Sequence, residues 1–130
     1  MGTAAPSSTS TAAIAEELVS FCKAGNFTDA INAHYSPDIV SVEAMGTETM
    51  PREMKGIEAI RGKNQWWAEN HVVHSSVVDG PFVGDDKFAV YYNLDVTFKP
   101  TGKRTPMEEM ALYEVKDGKI VREQFFYRTS

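Results

Sequence analysis

The chain has 130 residues, 42% of them hydrophobic and 11% aromatic, so it fits one globular domain and is too short for two separate cores. Its formal net charge of −5, without any cluster of Lys and Arg, argues against nucleic acid as a partner. A single cysteine, Cys22, excludes an intramolecular disulfide, and no apolar run reaches roughly 20 residues, the length of a transmembrane helix. We therefore expect a cytoplasmic domain with no membrane partner.

The first half of the chain is predicted to be mainly helical. Residues 1–11 consist largely of Ser, Thr and Ala, lack the features of a secretion signal, and are expected to form a disordered tail. Apolar residues at helical spacing predict a helix over 12–24, a second from about 27 to Ser36-Pro37, and a third over 56–70. A short strand over 39–44 and a loop over 45–55 are expected between the second and third helices.

The second half of the chain changes to a period of two from residue 71, which predicts strands separated by turns. The expected strands cover residues 71–78, 88–98, 104–116 and 119–128, with turns at 79–81, 100–102 and 117–118. Three helices followed by hairpins predict an α+β domain with the helices packed on a mainly antiparallel sheet. The outer face of the 88–98 strand carries Tyr91, Asn93 and Asp95, a mixed surface that we expect to form a homodimer interface.

Three strings occur in a characteristic order: AHYSPDIVSVE at 33–43, GIEAIR at 56–61 and YEVKDGKIVRE at 113–123. This arrangement resembles the nuclear transport factor 2-like superfamily and, within it, the SnoaL-like domains, over a domain of residues 12–130. The resemblance implies a cone-shaped fold, in which three helices pack on a strongly curved sheet around a pocket, commonly in a homodimer. Members include isomerases, cyclases, dehydratases, hydrolases and non-catalytic binders, so the resemblance does not select an activity.

Ketosteroid isomerases are the best-understood catalytic proteins with this fold. They use an Asp base near the end of the first strand, and a Tyr and a protonated Asp that donate to the oxyanion. The resemblance places these three positions at Ala44, Leu18 and Ala111, whose side chains cannot transfer a proton. The sequence is therefore predicted not to isomerise ketosteroids.

Two carboxyl groups, Glu109 and Glu123, are the candidates for chemistry. The resemblance turns both toward the concave side among aromatic residues, where burial would raise their pKa and suit general acid–base catalysis. A regular two-residue turn at Asp117-Gly118 would instead place them on opposite faces, so a bulge or a longer loop is required. The residues expected to bind the ligand are Trp67, His74, Tyr92, Tyr113, Phe125 and Tyr127.

Several alternatives accompany this prediction. Either glutamate could pair with an arginine or lie at the solvated rim, and Glu43 is a further candidate, although simple alternation places it outward. His71 and His74 are three residues apart, on opposite faces of a strand, so neither a metal nor another cofactor is expected. The predicted function is an acid–base enzyme acting on a small apolar molecule; the alternatives are a non-catalytic binding module and a dimeric interaction domain.

Overall fold

The structure is a computed structural model that describes residues 10–48 and 50–128. Three helices and six strands follow one another in this part of the chain. Their bounds are α1 (Thr11–Lys23), α2 (Phe27–His34), β1 (Tyr35–Val42), β2 (Glu53–Lys55), α3 (Ile57–Asn70), β3 (His71–Val83), β4 (Lys87–Phe98), β5 (Lys103–Lys116) and β6 (Lys119–Phe126). None of the helices described is long and apolar enough to cross a membrane.

The six strands form one sheet in the order β2-β1-β6-β5-β4-β3. All neighbours are antiparallel except β1 and β6, which are parallel. The helices pack on one face of this sheet, which confirms the predicted α+β cone. The core between the two layers consists of fully buried side chains, the largest of which are Ile14, Leu18, Ile39, Ile60, Phe88, Val90, Val96 and Ile120.

Helix α1 begins at Thr11, because the Ser10 side chain accepts a hydrogen bond of 3.1 Å from the Ala13 amide and caps the first turn. The helix thus starts one residue before the predicted position. The predicted tail lies, except for its last two residues, outside the described part of the chain.

The strands differ from the prediction at two places where Pro or Gly suggested a break. Strand β1 begins at Tyr35 and passes through Pro37, where its pairing with β6 is irregular and a missing N–H is tolerated. Strand β3 continues through the predicted turn to Val83, because Gly80 adopts a φ of +124° and the register shifts between Asp79 and Phe82. The glycine therefore makes a bulge within a strand. The three residues of β2 lie in the predicted loop.

The β5–β6 hairpin turns at Asp117-Gly118 as predicted, with positive φ at both residues. Close to the turn, Val115 faces Ile120, but the register then shifts by one residue, so that Glu114 faces Arg122. This shift is the predicted bulge, and it lies inside the strand rather than in a longer turn. It places the odd-numbered residues of β5, and those of β6 beyond the bulge, on the inner face, where the helices pack.

Candidate functional site

Glu123 is the most deeply buried carboxyl group at the inner face, with only 2% of its surface exposed. The Tyr35 hydroxyl donates to one carboxyl oxygen and the Ser41 hydroxyl donates to the other at 2.7 Å. Burial raises the pKa of Glu123, while the charge of Lys63 and the two hydroxyl donors oppose that rise. Because both oxygens already accept hydrogen bonds, Glu123 is held in one position.

Lys63 of α3 lies next to this carboxyl group and was not singled out by the sequence. Its Nζ donates to Ser41 Oγ and to Glu43 Oε2, both at 2.8 Å, and lies 3.9 Å from Glu123 Oε2. The ammonium group also lies 5.1 Å from the centroid of the Phe125 ring. Lys63 therefore joins a helix to two strands in one polar network.

Glu43 belongs to the same network, which corrects the outward orientation given by alternation. Besides Lys63, it accepts a 2.9 Å hydrogen bond from the Tyr127 hydroxyl. Alternation failed because the apolar Val40 and Val42 were assumed to point inward, whereas Ser41 and Glu43 face the inner polar groups. Burial, followed by the charge of Glu43, raises the pKa of Tyr127 to about 12, so this phenol is a proton donor at neutral pH.

Glu109 of β5 lies on the same inner face, directly opposite Tyr92 of β4. It is partly exposed, and none of the described residues hydrogen-bonds its carboxyl group. Burial and the negative charge of Glu43 raise its pKa to about 7, although Lys63 opposes the shift. Glu123 faces Tyr113, four residues along β5 from Glu109, so the two glutamates share a face without being cross-strand neighbours.

Two buried phenols and a thiol form a chain beside Glu109. The hydroxyls of Tyr92 and Tyr113 share a hydrogen bond of 2.8 Å, and Cys22 Sγ shares one of 3.4 Å with Tyr92. Burial is the main cause that raises the pKa of both tyrosines well above 10 and the pKa of Cys22 to about 11. All three groups therefore keep their protons at neutral pH.

A cavity of about 310 Å³ opens on the other side of Cys22, between the helices and the inner face of β3. The Trp67 indole stacks on His71, with 4.3 Å between the ring centroids, and both rings line the cavity. A larger depression of about 440 Å³ lies on the convex face and holds none of the buried carboxyl groups. The remaining side chains that line the inner cavity include Phe27, Thr28, Asn64, Val73, Ser76, Val78 and Leu94.

His74, expected to bind the ligand, lies on the convex face instead. Its Nε2 hydrogen-bonds Thr97 Oγ1 at 2.7 Å, and its side chain is exposed. The register shift between Val73 and Ser75 in the β3–β4 pairing reverses the alternation at this point, so the prediction was wrong. Within the described residues, no three His, Cys, Asp or Glu side chains are placed to hold a metal ion.

The fold is that of the nuclear transport factor 2-like class. The family model for the SnoaL-like domain matches residues 9–127, and the chain belongs to this family. Among solved structures, a protein from Mesorhizobium loti, provisionally described as a SnoaL-like polyketide cyclase, has 44% sequence identity and a TM-score of 0.84. That similarity covers 89% of this chain and 97% of the other.

More distant structures share the fold alone. A protein from Jannaschia, also provisionally described as a SnoaL-like polyketide cyclase, is 17% identical over 97% of this chain and 90% of its own, with a TM-score of 0.71. A nuclear transport factor 2-like protein from Anabaena variabilis is 14% identical over 100% and 97%, with a TM-score of 0.73. A comparison with curated proteins found no match.

Proposed function

We propose that this chain is an acid–base enzyme that binds a small, largely apolar carbonyl compound and moves one of its protons with Glu109. The observation that carries the proposal is the state of the Glu109 carboxyl group. It has no hydrogen-bond donor among the described residues and a pKa of about 7, so both protonation states are available near neutral pH. Glu123, predicted as a second proton carrier, serves instead to hold the network, because its oxygens are occupied.

The reaction class that suits these groups is proton abstraction next to a carbonyl group. Such a step needs a base and a donor for the negative charge that develops on the oxygen. Tyr92 lies opposite Glu109 in the sheet and keeps its proton at neutral pH. Its hydroxyl is the candidate donor, and to act it would turn away from its present partners Tyr113 and Cys22. Cyclases and isomerases both use this chemistry, and the similarity to a provisionally described polyketide cyclase supports it.

The apolar part of the substrate would occupy the cavity beside Trp67. Its volume of about 310 Å³ lies at the lower end of the range for small-molecule sites and suits a compound of one or two rings. Trp67 offers a flat apolar surface, and Cys22 connects the wall of this cavity to the Tyr92 hydroxyl. Phe125 and Tyr127 belong to the polar side of the site, where they contact Lys63 and Glu43.

The proposal is tested by exchange of carbon-bound hydrogen in a simple ketone. The chain is incubated with 2-tetralone in D₂O, and loss of the proton signal next to the carbonyl group is followed by NMR. Glu109→Gln should slow the protein-dependent exchange at least about 100-fold, the contribution typical of a general base. Glu108→Gln is the matched control, because Glu108 lies next in sequence but on the outer face, where Tyr91 donates to it. Exchange that survives in Glu109→Gln, or that the native chain does not promote, contradicts the proposal.

A non-catalytic binding module is the second candidate. It is favoured by Leu18, Ala44 and Ala111, which occupy the positions of the isomerase groups in the family resemblance. The two candidates differ in one respect: a binding module would shift the Trp67 indole resonance on addition of 2-tetralone without promoting exchange. Trp67→Phe should remove that resonance and so assign it, whereas substitution of the exposed Trp66 by Phe should leave both the resonance and its shift in place.

A further inference from the structure

We propose that Lys63 is the positioning residue of this site, a cation that fixes Glu43 and Glu123 and whose charge acts on Glu109 without pairing with it. Only the predicted effect of Lys63 on catalysis rests on the proposed function. The basis of the inference is the set of contacts that Lys63 of α3 makes with two other parts of the chain, residues 41–43 and residues 123–125.

The geometry leaves the Lys63 ammonium group little freedom. Two acceptors lie at 2.8 Å, one on β1 and one just after it, and Glu123 Oε2 of β6 lies at 3.9 Å. The Lys63 side chain is only 17% exposed, and its Nζ lies over the Phe125 ring. An ammonium group in such surroundings loses hydration, so its carboxylate partners, rather than water, hold it in place.

Ser41 links Lys63 to Glu123 through its hydroxyl group. It accepts a hydrogen bond from Lys63 Nζ at 2.8 Å and donates one to Glu123 at 2.7 Å. The positive charge is therefore transmitted to Glu123 both directly and through a polarised hydroxyl. Without Lys63, the Ser41 hydroxyl would still donate to Glu123 but would no longer accept a hydrogen bond from an ammonium group.

The site has more carboxyl groups than cations, and the excess negative charge affects Glu109. The titratable groups that face the site are the carboxyl groups of Glu43 after β1, Glu109 on β5 and Glu123 on β6. Four phenols and a thiol lie around them, namely Tyr35, Tyr92, Tyr113, Tyr127 and Cys22. Three carboxyl groups thus surround one ammonium group, which pairs with Glu43 most closely. Glu123 is stabilised by two hydroxyl donors, whereas none of the described residues donates to Glu109. Of the three carboxyl groups, Glu109 is therefore the one whose negative charge its neighbours stabilise least.

The test is a titration of the glutamate side-chain carboxyl carbons by ¹³C NMR, using the whole chain. Lys63→Met should raise the midpoint of Glu109 by at least about one pH unit, a tenfold change in its proton dissociation constant. Lys63→Arg should restore the midpoint to near its native value. Lys55→Met is the matched control for net charge, because Lys55 lies on β2 with its side chain 75% exposed, and should leave the midpoint unchanged. An unchanged Glu109 midpoint in folded Lys63→Met overturns the inference.

A second variant covers the case in which Lys63→Met does not fold. Glu43→Gln removes the negative charge that raises the Glu109 pKa and frees Lys63 from its nearest partner, so the Glu109 midpoint should fall. A midpoint that stays in place or rises overturns the inference. Neither titration needs a substrate, so its outcome is independent of whether Glu109→Gln abolishes hydrogen exchange. If both proposals hold, the exchange rate in Lys63→Met should increase with pH over a correspondingly higher range.

Discussion

Ser41 and Glu123 are direct neighbours across the parallel β1–β6 pair, and the Ser41 hydroxyl donates a 2.7 Å hydrogen bond to the Glu123 carboxyl group. Tyr35, near the start of β1, donates to the other oxygen of the same carboxyl group. The pairing of β1 with β6 is thus reinforced by side chains at two positions. This arrangement also explains how a carboxyl group with 2% exposure is tolerated, since each oxygen has a donor and Lys63 lies nearby.

Replacement of Glu123 by Ala should therefore destabilise the fold strongly. The change leaves the buried hydroxyls of Tyr35 and Ser41 without their acceptor and removes one of the partners of Lys63. Breaking a buried polar network of this kind costs about 2–4 kcal/mol of unfolding free energy. Urea denaturation followed by circular dichroism measures the change. Glu16→Ala, at an exposed position of α1, is the control and should stay within about 0.5 kcal/mol of the native chain. An equally small loss for Glu123→Ala would show that the network contributes little.

The fold was largely predictable because it rests on local chemistry. Positive φ at Asp117-Gly118 fixes the last hairpin, and the change of hydrophobic period at His71 marks the transition from α3 to β3. Even the bulge in β6 followed from requiring Glu109 and Glu123 to share a face. Each of these features depends on residues close in sequence, or on one pairing of adjacent strands.

The candidate site was less predictable because its contacts join distant parts of the chain. Lys63 looks like an ordinary solvent-exposed lysine of an amphipathic helix until α3 is placed over Ser41 and Glu123. Glu43 was assigned outward because hydrophobicity alone was used to choose the inner face of β1. His74 was misplaced because a bulge in β3 cannot be seen in a run of alternating residues. Polar networks and bulges are properties of the assembled sheet.

The thiol of Cys22 should be unreactive in the native state. It is 4% exposed, and burial raises its pKa to about 11, so at pH 8 almost no thiolate is present. Iodoacetamide at pH 8 should modify Cys22 only in chains that have opened, and the rate should increase by orders of magnitude in denaturant. Mass spectrometry over time measures both rates. Rapid native modification would contradict the burial of Cys22.

The homodimer expected from the sequence remains a proposal, supported by apolar side chains on the convex face. Tyr91, Met110 and Phe126 lie side by side across β4, β5 and β6, and the last two are 54% and 49% exposed. Such a row of exposed apolar groups is unusual for a monomer surface. We expect light scattering at micromolar concentration to give twice the chain mass of 14.4 kDa. Met110→Glu should halve that mass, whereas Met45→Glu, at a loop residue 47% exposed, should not. A monomer mass for the native chain would refute the proposal.

Glu109 should make the stability of the chain depend on pH between about 4.5 and 7. Its pKa rises from an ordinary value of 4.5 to about 7 in the folded chain, so in this interval the native state binds more protons than the unfolded state. The unfolding free energy therefore decreases as the pH increases through the interval. Above about pH 7 this loss of stability has reached its full size. Glu109→Gln removes this group, so the variant should gain stability relative to the native chain between pH 5 and pH 8. Urea denaturation at both pH values measures the difference, with Glu108→Gln as the control of equal charge. A Glu109→Gln variant whose relative stability is the same at both pH values would show that Glu109 titrates normally in the folded chain.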